Sequence, residues 1–449
     1  MRHGRKAAVA ITSIVAAAAL TLSGCTSDTG SGGTDVITDA EREEALNTPT
    51  ELTFWTWVPD IQDQVDLFEA AYPAINVTVE NVGQGLDHYA KVRTAVEAGS
   101  GGPDVVQLEY QFLSSFALSG ELLDLTPYGA EDIAGDYVSW VWNQGVHNGE
   151  ILAIPQDSGP LGNLYREDIL AAAGVNEAPA TWEDYRAAAE LVRDNTDSVI
   201  SNMAPNQGAG WLGLLWQAGV KPFAFDGGEN VTISVNSPEA KEVMAYWQDM
   251  IQSELVSTDP DFTDEWYAGL NQGKYAGWLT AAWAPVFLSG AAADTSGLWR
   301  AAPLPQWDAD NPASGNWGGS ADAVVRTSEN PIAAYELAKW INHEQEPALL
   351  FATQQHFFPT ANSVLEDPAF AGAEPEFYGG QKVNELFAEI STTVDPDWQW
   401  LPFMEFAYTN FNETFGAQVA AHGDLGAGLD AWQAALVDYA TQQGFTVTE

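Results

Sequence analysis

Cysteine and basic residues are both scarce in this 449-residue chain. A single cysteine excludes any internal disulfide. Only 16 Lys and Arg residues stand against 63 Asp and Glu residues, which gives a formal net charge of −47. A surface of this sign repels phosphate backbones and anionic lipid headgroups, which argues against a nucleic-acid-binding protein. The six histidines are scattered, so we expect neither a transition-metal site nor a metal cofactor.

Long apolar runs are also missing beyond the N-terminus, where one run covers residues 7–22. It follows Arg2, Arg5 and Lys6 and leads to Leu22-Ser23-Gly24-Cys25. A basic start, an apolar core and small residues are typical of a bacterial secretion signal. The cysteine after the small residues resembles the lipobox of bacterial lipoproteins. That resemblance implies a signal peptide over residues 1–24 and a lipid, such as palmitate, on Cys25. An ordinary signal peptide with a chance cysteine is the alternative.

The segment after Cys25 is rich in glycine, serine and threonine, which predicts a flexible linker over residues 25–50. It would tether the folded chain to the outer face of the cytoplasmic membrane, with the lipid as the only membrane contact. About 400 residues remain for the folded part, and single cores usually stop growing near ~250–300 residues. We therefore expect two domains. Eighteen tryptophans are many for this length, and aromatic rings with a polar edge suit flat polar ligands.

Apolar periodicity predicts strands at residues 52–57, 75–79 and 104–108, with helices near 61–72 and 88–98 between them. This alternation predicts βαβ units and a largely parallel sheet. Ligands of such sheets bind at the carboxyl ends of the strands, which is where Trp57, Glu109 and Tyr110 fall.

Further along, turn and cap signals subdivide the chain. Asn148-Gly149 fits a type I′ hairpin turn between short strands at 146–147 and 151–154. Residues 155–160 are rich in turn formers and precede a strand at 161–165. Thr181 with Asp184 resembles a helix capping box, and residues 429–439 predict a C-terminal amphipathic helix.

Several motifs occur in the order of a known family. They are Gly102-Pro103-Asp104-Val105-Val106, Ala180-Thr181-Trp182-Glu183-Asp184-Tyr185, Asn271-Gln272-Gly273-Lys274-Tyr275-Ala276-Gly277-Trp278, Asn316-Trp317-Gly318-Gly319-Ser320 and Phe358-Pro359-Thr360. Over most of the chain this order resembles the family 1 extracellular solute-binding proteins, of the maltose- and oligosaccharide-binding type. These are carbohydrate receptors of bacterial ATP-driven importers. Arg166 stands where many relatives carry Asn, which leaves the sugar class open.

The resemblance implies an α/β, two-lobed periplasmic-binding-protein-like fold of class II, with a hinge and an interlobe ligand cleft. The N-terminal lobe would comprise residues 51–157 plus 322–366, and the C-terminal lobe residues 160–316 plus 370–449. The chain would cross between them near residues 157–160, 317–322 and 365–370. The implied protein is a monomer and not an enzyme. It would capture a sugar, with an oligosaccharide favoured, and deliver it to membrane permease subunits.

A sugar offers hydroxyls at its rim and C–H groups on its faces, so we expect carboxylates, amides and aromatic rings around it. The resemblance and strand-end positions together nominate nine ligand-binding residues, while Gln84 is a weaker candidate. The nine are Trp57, Glu109, Tyr110, Asp157, Trp283, Trp317, Gly318, Trp400 and Tyr408.

Two alternatives belong to other classes. A secreted glycoside hydrolase would also use aromatic rings, and it needs two carboxylates ~5–9.5 Å apart. No catalytic motif supports it, since His343-Glu344-Gln345-Glu346-Pro347 lacks the second histidine of the zinc-protease pattern. The other alternative keeps the receptor fold and replaces the sugar with a peptide, a polyamine or a metal complex.

Overall fold

The structure is a computed structural model that describes residues 36–449. The predicted signal peptide and Cys25 lie outside the described residues. Part of the predicted linker forms a helix, because Thr38 and Glu41 close a reciprocal capping box at its start. Arg42 of this helix forms an ion pair with Glu336 and donates to the Tyr128 carbonyl at 2.9 Å. Residues 39–47 are therefore anchored to the folded body, contrary to a linker that runs to residue 50.

The strands of the described chain are β1 (Thr50–Trp55), β2 (Ile75–Glu80), β3 (Val105–Glu109), β4 (Val146–His147), β5 (Glu150–Ile151), β6 (Ala153–Arg166), β7 (Ser201–Asn202), β8 (Phe223–Phe225), β9 (Asn230–Ile233), β10 (Val256–Ser257), β11 (Gly277–Ala281), β12 (Trp299–Pro303), β13 (Asn316–Val324) and β14 (Thr446–Thr448).

The α-helices of the same residues are α1 (Asp39–Asn47), α2 (Gln62–Ala71), α3 (Leu86–Ala98), α4 (Tyr110–Leu118), α5 (Ser139–Gln144), α6 (Glu167–Ala173), α7 (Trp182–Asn195), α8 (Gly208–Gln217), α9 (Pro238–Gln252), α10 (Asp264–Gln272), α11 (Ala284–Ala291), α12 (Pro331–His343), α13 (Gln345–Leu350), α14 (Asn362–Leu365), α15 (Pro368–Ala371), α16 (Val383–Ser391), α17 (Met404–Glu413), α18 (Phe415–Ala420) and α19 (Leu425–Gln443). Within the described range, no helix is long and apolar enough to cross a bilayer.

Most of the predicted elements are confirmed. The first three strands and the two helices between them appear as β1, α2, β2, α3 and β3. Asn148 and Gly149 both have positive φ, as a type I′ turn requires. The Thr181 hydroxyl caps α7 by accepting the Asp184 N–H at 3.1 Å, although the return bond of a full capping box is missing. The C-terminal helix is α19.

One seven-stranded sheet runs through the structure in the order β11-β6-β13-β3-β1-β2, with β12 also paired to β6. The prediction of a largely parallel sheet is wrong, because within this seven-stranded sheet only β1, β2 and β3 pair in parallel. The strands β6, β11, β12 and β13 pair antiparallel. Antiparallel pairing arises where the chain returns through β6 and β13 instead of continuing the βαβ repeat.

The strand β6 also differs from its prediction, since residues 155–160 are strand and not a turn. Its first part pairs with β13, and its second part lies between β11 and β12. The register between β6 and β13 shifts at two places, and these irregularities accommodate the Pro- and Gly-rich sequence of β6. Gly159 is needed here, because a Cβ atom on it would lie 2.0 Å from the Trp317 carbonyl oxygen.

The buried side chains form two clusters on opposite faces of the sheet. Successive residues of a strand alternate between them, as with Val105 and Val106 in β3 or Phe54 and Trp55 in β1. One cluster contains Trp211 and the other contains Trp266. Because β6 and β13 contribute to both clusters, these two strands are fixed by packing on each face. We call them the crossing strands, because the two predicted lobes would be joined through them.

Candidate functional site

The ends of β1 and β3 bring two predicted residues to one edge of the sheet. The strands are parallel neighbours, with Phe54 paired to Val105, so their carboxyl ends meet. Trp57 follows β1, and Glu109 is the last residue of β3. The backbone N–H of Trp57 donates to the Gln107 side-chain oxygen at 3.1 Å, which ties the loop after β1 to β3.

A half-buried indole, Trp57, stands against the start of α3. Its ring meets the His88 ring edge-on, with centroids 5.1 Å apart. His88 is fully buried, and its Nε2 lies 3.0 Å from the Gln107 carbonyl oxygen. Burial lowers the pKa of His88 to about 4, so this imidazole is neutral near pH 7. Trp57 therefore rests on a rigid, uncharged support.

The carboxylate of Glu109 is held beside two tyrosines. The Tyr89 hydroxyl donates to Glu109 at 2.6 Å, and burial raises the pKa of the Glu109 carboxyl. Burial, and then the nearby Glu109 charge, raise the pKa of Tyr408. The Tyr408 hydroxyl is buried and has no hydrogen-bond partner among the described residues. Its ring meets Phe112 edge-on at 6.4 Å, so α4 and α17 close this side of the site.

A second group of predicted residues lies where β13 begins and β11 ends. Trp283 donates its Nε1–H to the Trp317 carbonyl at 2.8 Å, and the two rings are nearly perpendicular with centroids 5.3 Å apart. Gly318 has a φ of +82°, and a Cβ atom on it would lie 3.3 Å from the Trp283 ring nitrogen. A side chain at residue 318 would therefore crowd Trp283.

Helix α8 joins the two groups from one side. A Cβ atom on Gly210 would lie 3.4 Å from the Trp317 ring, and one on Gly208 would lie 3.0 Å from the Tyr408 ring. The start of α8 thus fits between Trp317 and Tyr408. Its small residues allow the two aromatic rings to approach the helix backbone.

Asp157 and Tyr110 are brought close to these residues but are engaged within the protein. The Tyr110 side chain is fully buried, and its hydroxyl donates to the Asp157 backbone carbonyl at 2.9 Å. One Asp157 carboxylate oxygen accepts the Ser320 backbone N–H at 2.9 Å. Burial raises the pKa of Asp157 to about 7. Both residues link β3, β6 and β13, and their direct contact with a ligand stays a prediction.

Trp400 lies in a different environment. It is 6% exposed, and its Nε1–H donates to the Gln144 side-chain oxygen at 2.6 Å. Its ring meets Trp216 and Trp398 edge-on, and none of its ring contacts is with another nominated residue. Gln84, the weaker candidate, is exposed in the loop before α3. Ligand contact by Trp400 stays a prediction as well.

Two aromatic residues that the sequence did not single out complete the wall near Trp283. Phe287 is 55% exposed and meets the Trp283 ring edge-on at 5.9 Å. Phe262 has a φ of +64°, which is unusual for an aromatic residue, and its ring lies 6.5 Å from both Trp283 and Trp317. Periodicity gives no signal for Phe262, because it precedes α10 in an irregular loop. Among the described residues, no group of His, Cys, Asp and Glu could hold a metal ion.

Comparison with known proteins gives the class to which this arrangement belongs. Residues 55–345 match the family model of the bacterial extracellular solute-binding protein. The chain is 31% identical to the ABC transporter associated binding protein of B. animalis subsp. lactis Bl-04, solved with β-1,6-galactobiose. That comparison has a TM-score of 0.76 and covers 90% of this chain and 100% of the other.

Two further relatives extend the comparison. The chain is 26% identical over 322 residues to the arabinooligosaccharide-binding protein of Bacillus subtilis strain 168, covering 68% of this chain and 72% of the relative. It also shares the fold of the galacto-N-biose-/lacto-N-biose I-binding protein of Bifidobacterium longum. The TM-score is 0.78 at 24% identity, over 89% and 98% of the two chains.

The fold is that of the two-lobed solute-binding proteins, which confirms the α/β class predicted from the sequence. The chain belongs to the bacterial extracellular solute-binding protein family, because the family model matches residues 55–345 and a relative with 31% identity covers 90% of the chain. The relatives compared above are named as binding proteins and not as enzymes.

Proposed function

We propose that this chain is the extracellular receptor of an ABC importer and binds a short oligosaccharide between its lobes. The observation that carries the proposal is the pair of perpendicular indoles, Trp283 and Trp317, beside Gly318. When two indole rings are perpendicular, one can pack its face against a sugar ring while the other presents its edge to the next sugar ring of the ligand. The 31% identity to a binding protein solved with β-1,6-galactobiose supports a carbohydrate ligand.

In this proposal the aromatic residues Trp57, Trp283, Trp317 and Tyr408 contact the faces of the sugar rings. Glu109 accepts hydrogen bonds from sugar hydroxyls, and the unpaired Tyr408 hydroxyl gains a partner when the ligand binds. Gly318 keeps space open next to Trp283. Such sites combine apolar walls with a few well-placed polar groups, which is the usual composition of small-molecule pockets.

Closure would come from bending at β6 and β13. The predicted lobes, residues 51–157 plus 322–366 and residues 160–316 plus 370–449, meet at these strands. A ligand favours the closed form because it contacts both lobes there. Arg93 of α3 lies 3.6 Å from Glu405 of α17, and this contact supports a closed arrangement.

The proposal extends to the membrane. The loaded receptor would dock as a monomer on permease subunits, with Cys25 lipidated at the outer face of the cytoplasmic membrane. No bond is made or broken in the ligand. The family name supports the extracellular setting, and the lipobox sequence supports the anchor.

Isothermal titration calorimetry of residues 36–449 against arabino-, galacto- and malto-oligosaccharides tests the proposal. We expect saturable binding of one oligosaccharide class at a stoichiometry of one, with the sugar recovered intact by chromatography. Cleaved sugar would support the hydrolase alternative. Absence of binding to every saccharide, with binding of a peptide or polyamine, would overturn the carbohydrate assignment.

A further inference from the structure

A cavity of about 360 Å³ lies apart from the Trp283 and Trp317 pair, between α5, the β4–β5 hairpin and the segment before α17. We call it the Trp398 cavity. Its wall includes Ser114, Asn143, His147, Asp397, Trp398 and Gln399. A volume of this size falls within the ~300–1,000 Å³ typical of small-molecule sites. None of the nominated residues except Trp400 lines it.

The aromatic wall of the Trp398 cavity is rigid. The Trp398 ring stacks on Trp216 with centroids 4.5 Å apart and an angle of 6° between the planes. Gln144 fixes this wall twice, since it donates to the Trp398 carbonyl at 3.2 Å and accepts from the Trp400 ring nitrogen. A preformed wall loses little conformational entropy when a ligand binds.

Two ring nitrogens of wall residues lack a hydrogen-bond partner among the described residues. The Nε1–H of Trp398 and the Nε2 of His147 are buried and have no hydrogen-bond partner among the described residues. A buried polar atom without a partner is costly, so a ligand with hydroxyl groups would gain by pairing with these two nitrogens. Asn143 and Gln399 add amides to the wall, which both donate and accept hydrogen bonds.

The charges of the wall favour an uncharged ligand. Asp397 is the only carboxylate on the wall, and it pairs with Lys221 at 3.3 Å. Burial lowers the pKa of His147 to about 4, so the imidazole carries no charge at neutral pH. The net charge facing the cavity is therefore small. Rigid aromatic rings, amides and unpaired ring nitrogens together suit a sugar ring.

We propose that the Trp398 cavity is a second ligand site, which takes one neutral sugar ring or a comparable polyol. The proposal goes beyond the receptor function and does not depend on which ligand the main site takes. One part of the wall comes from residues before β6, and the other from Phe225, Gly227 and residues after β13; the Asn148 side chain lies directly against Gly227. A ligand that contacts both segments changes the free energy of bending at the crossing strands. Occupancy of this cavity and of the main site is therefore coupled, and the coupling is reciprocal.

The test uses Asn143, which is exposed at the cavity rim and donates to the Pro396 carbonyl at 3.3 Å. Asn143→Trp fills the cavity, whereas the matched variant Asn143→Ser leaves it open. Residues 36–449 of each variant are probed by saturation-transfer NMR with D-galactose, D-glucose, L-arabinose and, separately, glycine betaine. Thermal melting verifies that each variant is folded. Trp283→Ala serves as the background in which the main site is weakened.

We expect saturation transfer to at least one monosaccharide in the Trp283→Ala background. The signal should fall at least fivefold with Asn143→Trp and persist with Asn143→Ser. A signal that Asn143→Trp leaves unchanged would overturn the second site, and an Asn143-dependent signal from glycine betaine alone would overturn the sugar chemistry. If no oligosaccharide binds the wild-type main site while the Asn143-dependent signal remains, the receptor proposal fails and the second site stands.

The coupling between the Trp398 cavity and the main site is tested by a separate binding measurement. The affinity of the wild-type main site for its oligosaccharide is compared with and without a saturating monosaccharide that the main site does not bind. A change of at least threefold that disappears in Asn143→Trp is expected. An unchanged affinity would refute the coupling.

Discussion

Ser320 on β13 donates both its backbone N–H and its hydroxyl to the same carboxylate oxygen of Asp157 on β6. The two crossing strands are thus joined by side-chain as well as backbone hydrogen bonds. The Gln107 amide donates to the Ser320 hydroxyl at 2.9 Å, and the Thr56 hydroxyl donates to Gln107 at 2.7 Å. A continuous buried network therefore links the end of β1 to the paired strands β6 and β13.

Replacing the Ser320 hydroxyl should weaken this network. Ser320→Ala leaves the buried Gln107 amide without its acceptor and removes one donor from Asp157. Unsatisfied buried groups cost about 1–3 kcal/mol each, so we expect the free energy of unfolding to fall by an amount in that range. Urea denaturation measures it. Ser296→Ala, at an exposed serine, is the control, and equal effects of the two variants would contradict the role of the network.

Stability should fall as the pH rises from about 4 to about 7. Burial raises the pKa of Asp157, Asp261 and Asp322 to about 7 each. In this window the unfolded carboxyls are ionised while the folded ones keep their protons. The folded state therefore binds more protons, and raising the pH favours unfolding until the folded pKa is passed.

The measurement is the melting temperature at pH 5.0 and pH 7.5, with the higher value expected at pH 5.0. Asp157→Asn should reduce the difference, because the amide does not titrate. Asp438→Asn, at an exposed position on α19, should leave it unchanged. A melting temperature that rises over this interval would show that these three carboxyls do not control the profile.

Truncating one indole of the perpendicular pair should weaken sugar binding. Trp283→Ala removes an aromatic surface whose burial by a ligand contributes about 1.5–3 kcal/mol, so we expect the Kd to rise roughly 10- to 150-fold. Calorimetry measures the change. Trp307→Ala is the matched control, since Trp307 is 43% exposed and packs against Trp182, away from Trp283. Equal losses from both variants would point to general destabilisation.

A single methyl group at residue 159 should disturb the crossing strands. Gly159→Ala places a Cβ atom 2.0 Å from the Trp317 carbonyl oxygen, so β6 and β13 must separate. Overpacking of this kind costs about 1–3 kcal/mol or more. Gly135→Ala is the control, because its Cβ atom would meet nothing within 4 Å. Chemical denaturation measures the free energy of unfolding of both variants. Comparable values would show that β6 and β13 can accommodate the added methyl group without loss of stability.

Local sequence signals were sufficient to predict the elements that are determined by the periodicity of apolar residues or by a short turn or cap motif. The alternation in β1 and β2, the Asn148-Gly149 turn and the Thr181 cap each depend on residues close together in the chain. The course of β6 could not be predicted in this way. Its Pro155–Pro160 stretch contains turn formers, yet pairing with β13, more than 150 residues later in the chain, keeps it extended.

The candidate site shows the same division. Trp57 and Glu109 could be placed because parallel strands end at one edge of a sheet. The burial of Tyr110 and the separate environment of Trp400 could not, because both depend on side-chain packing between distant segments. Phe262 had no signal at all, since its position follows from an unusual backbone conformation in a loop.

The pairing of β6 with β13 also determines which substitutions the protein tolerates. Asp157, Ser320 and Gly159 form a joint between β6 and β13, whereas Trp283, Phe287 and Tyr408 belong to the proposed ligand-binding surface. Because the joint makes its hydrogen bonds within the protein, the surface can be exchanged without rebuilding it. Under the proposed function, descendants of this chain could therefore acquire new cargo through changes in a few aromatic side chains while retaining the pairing of β6 with β13.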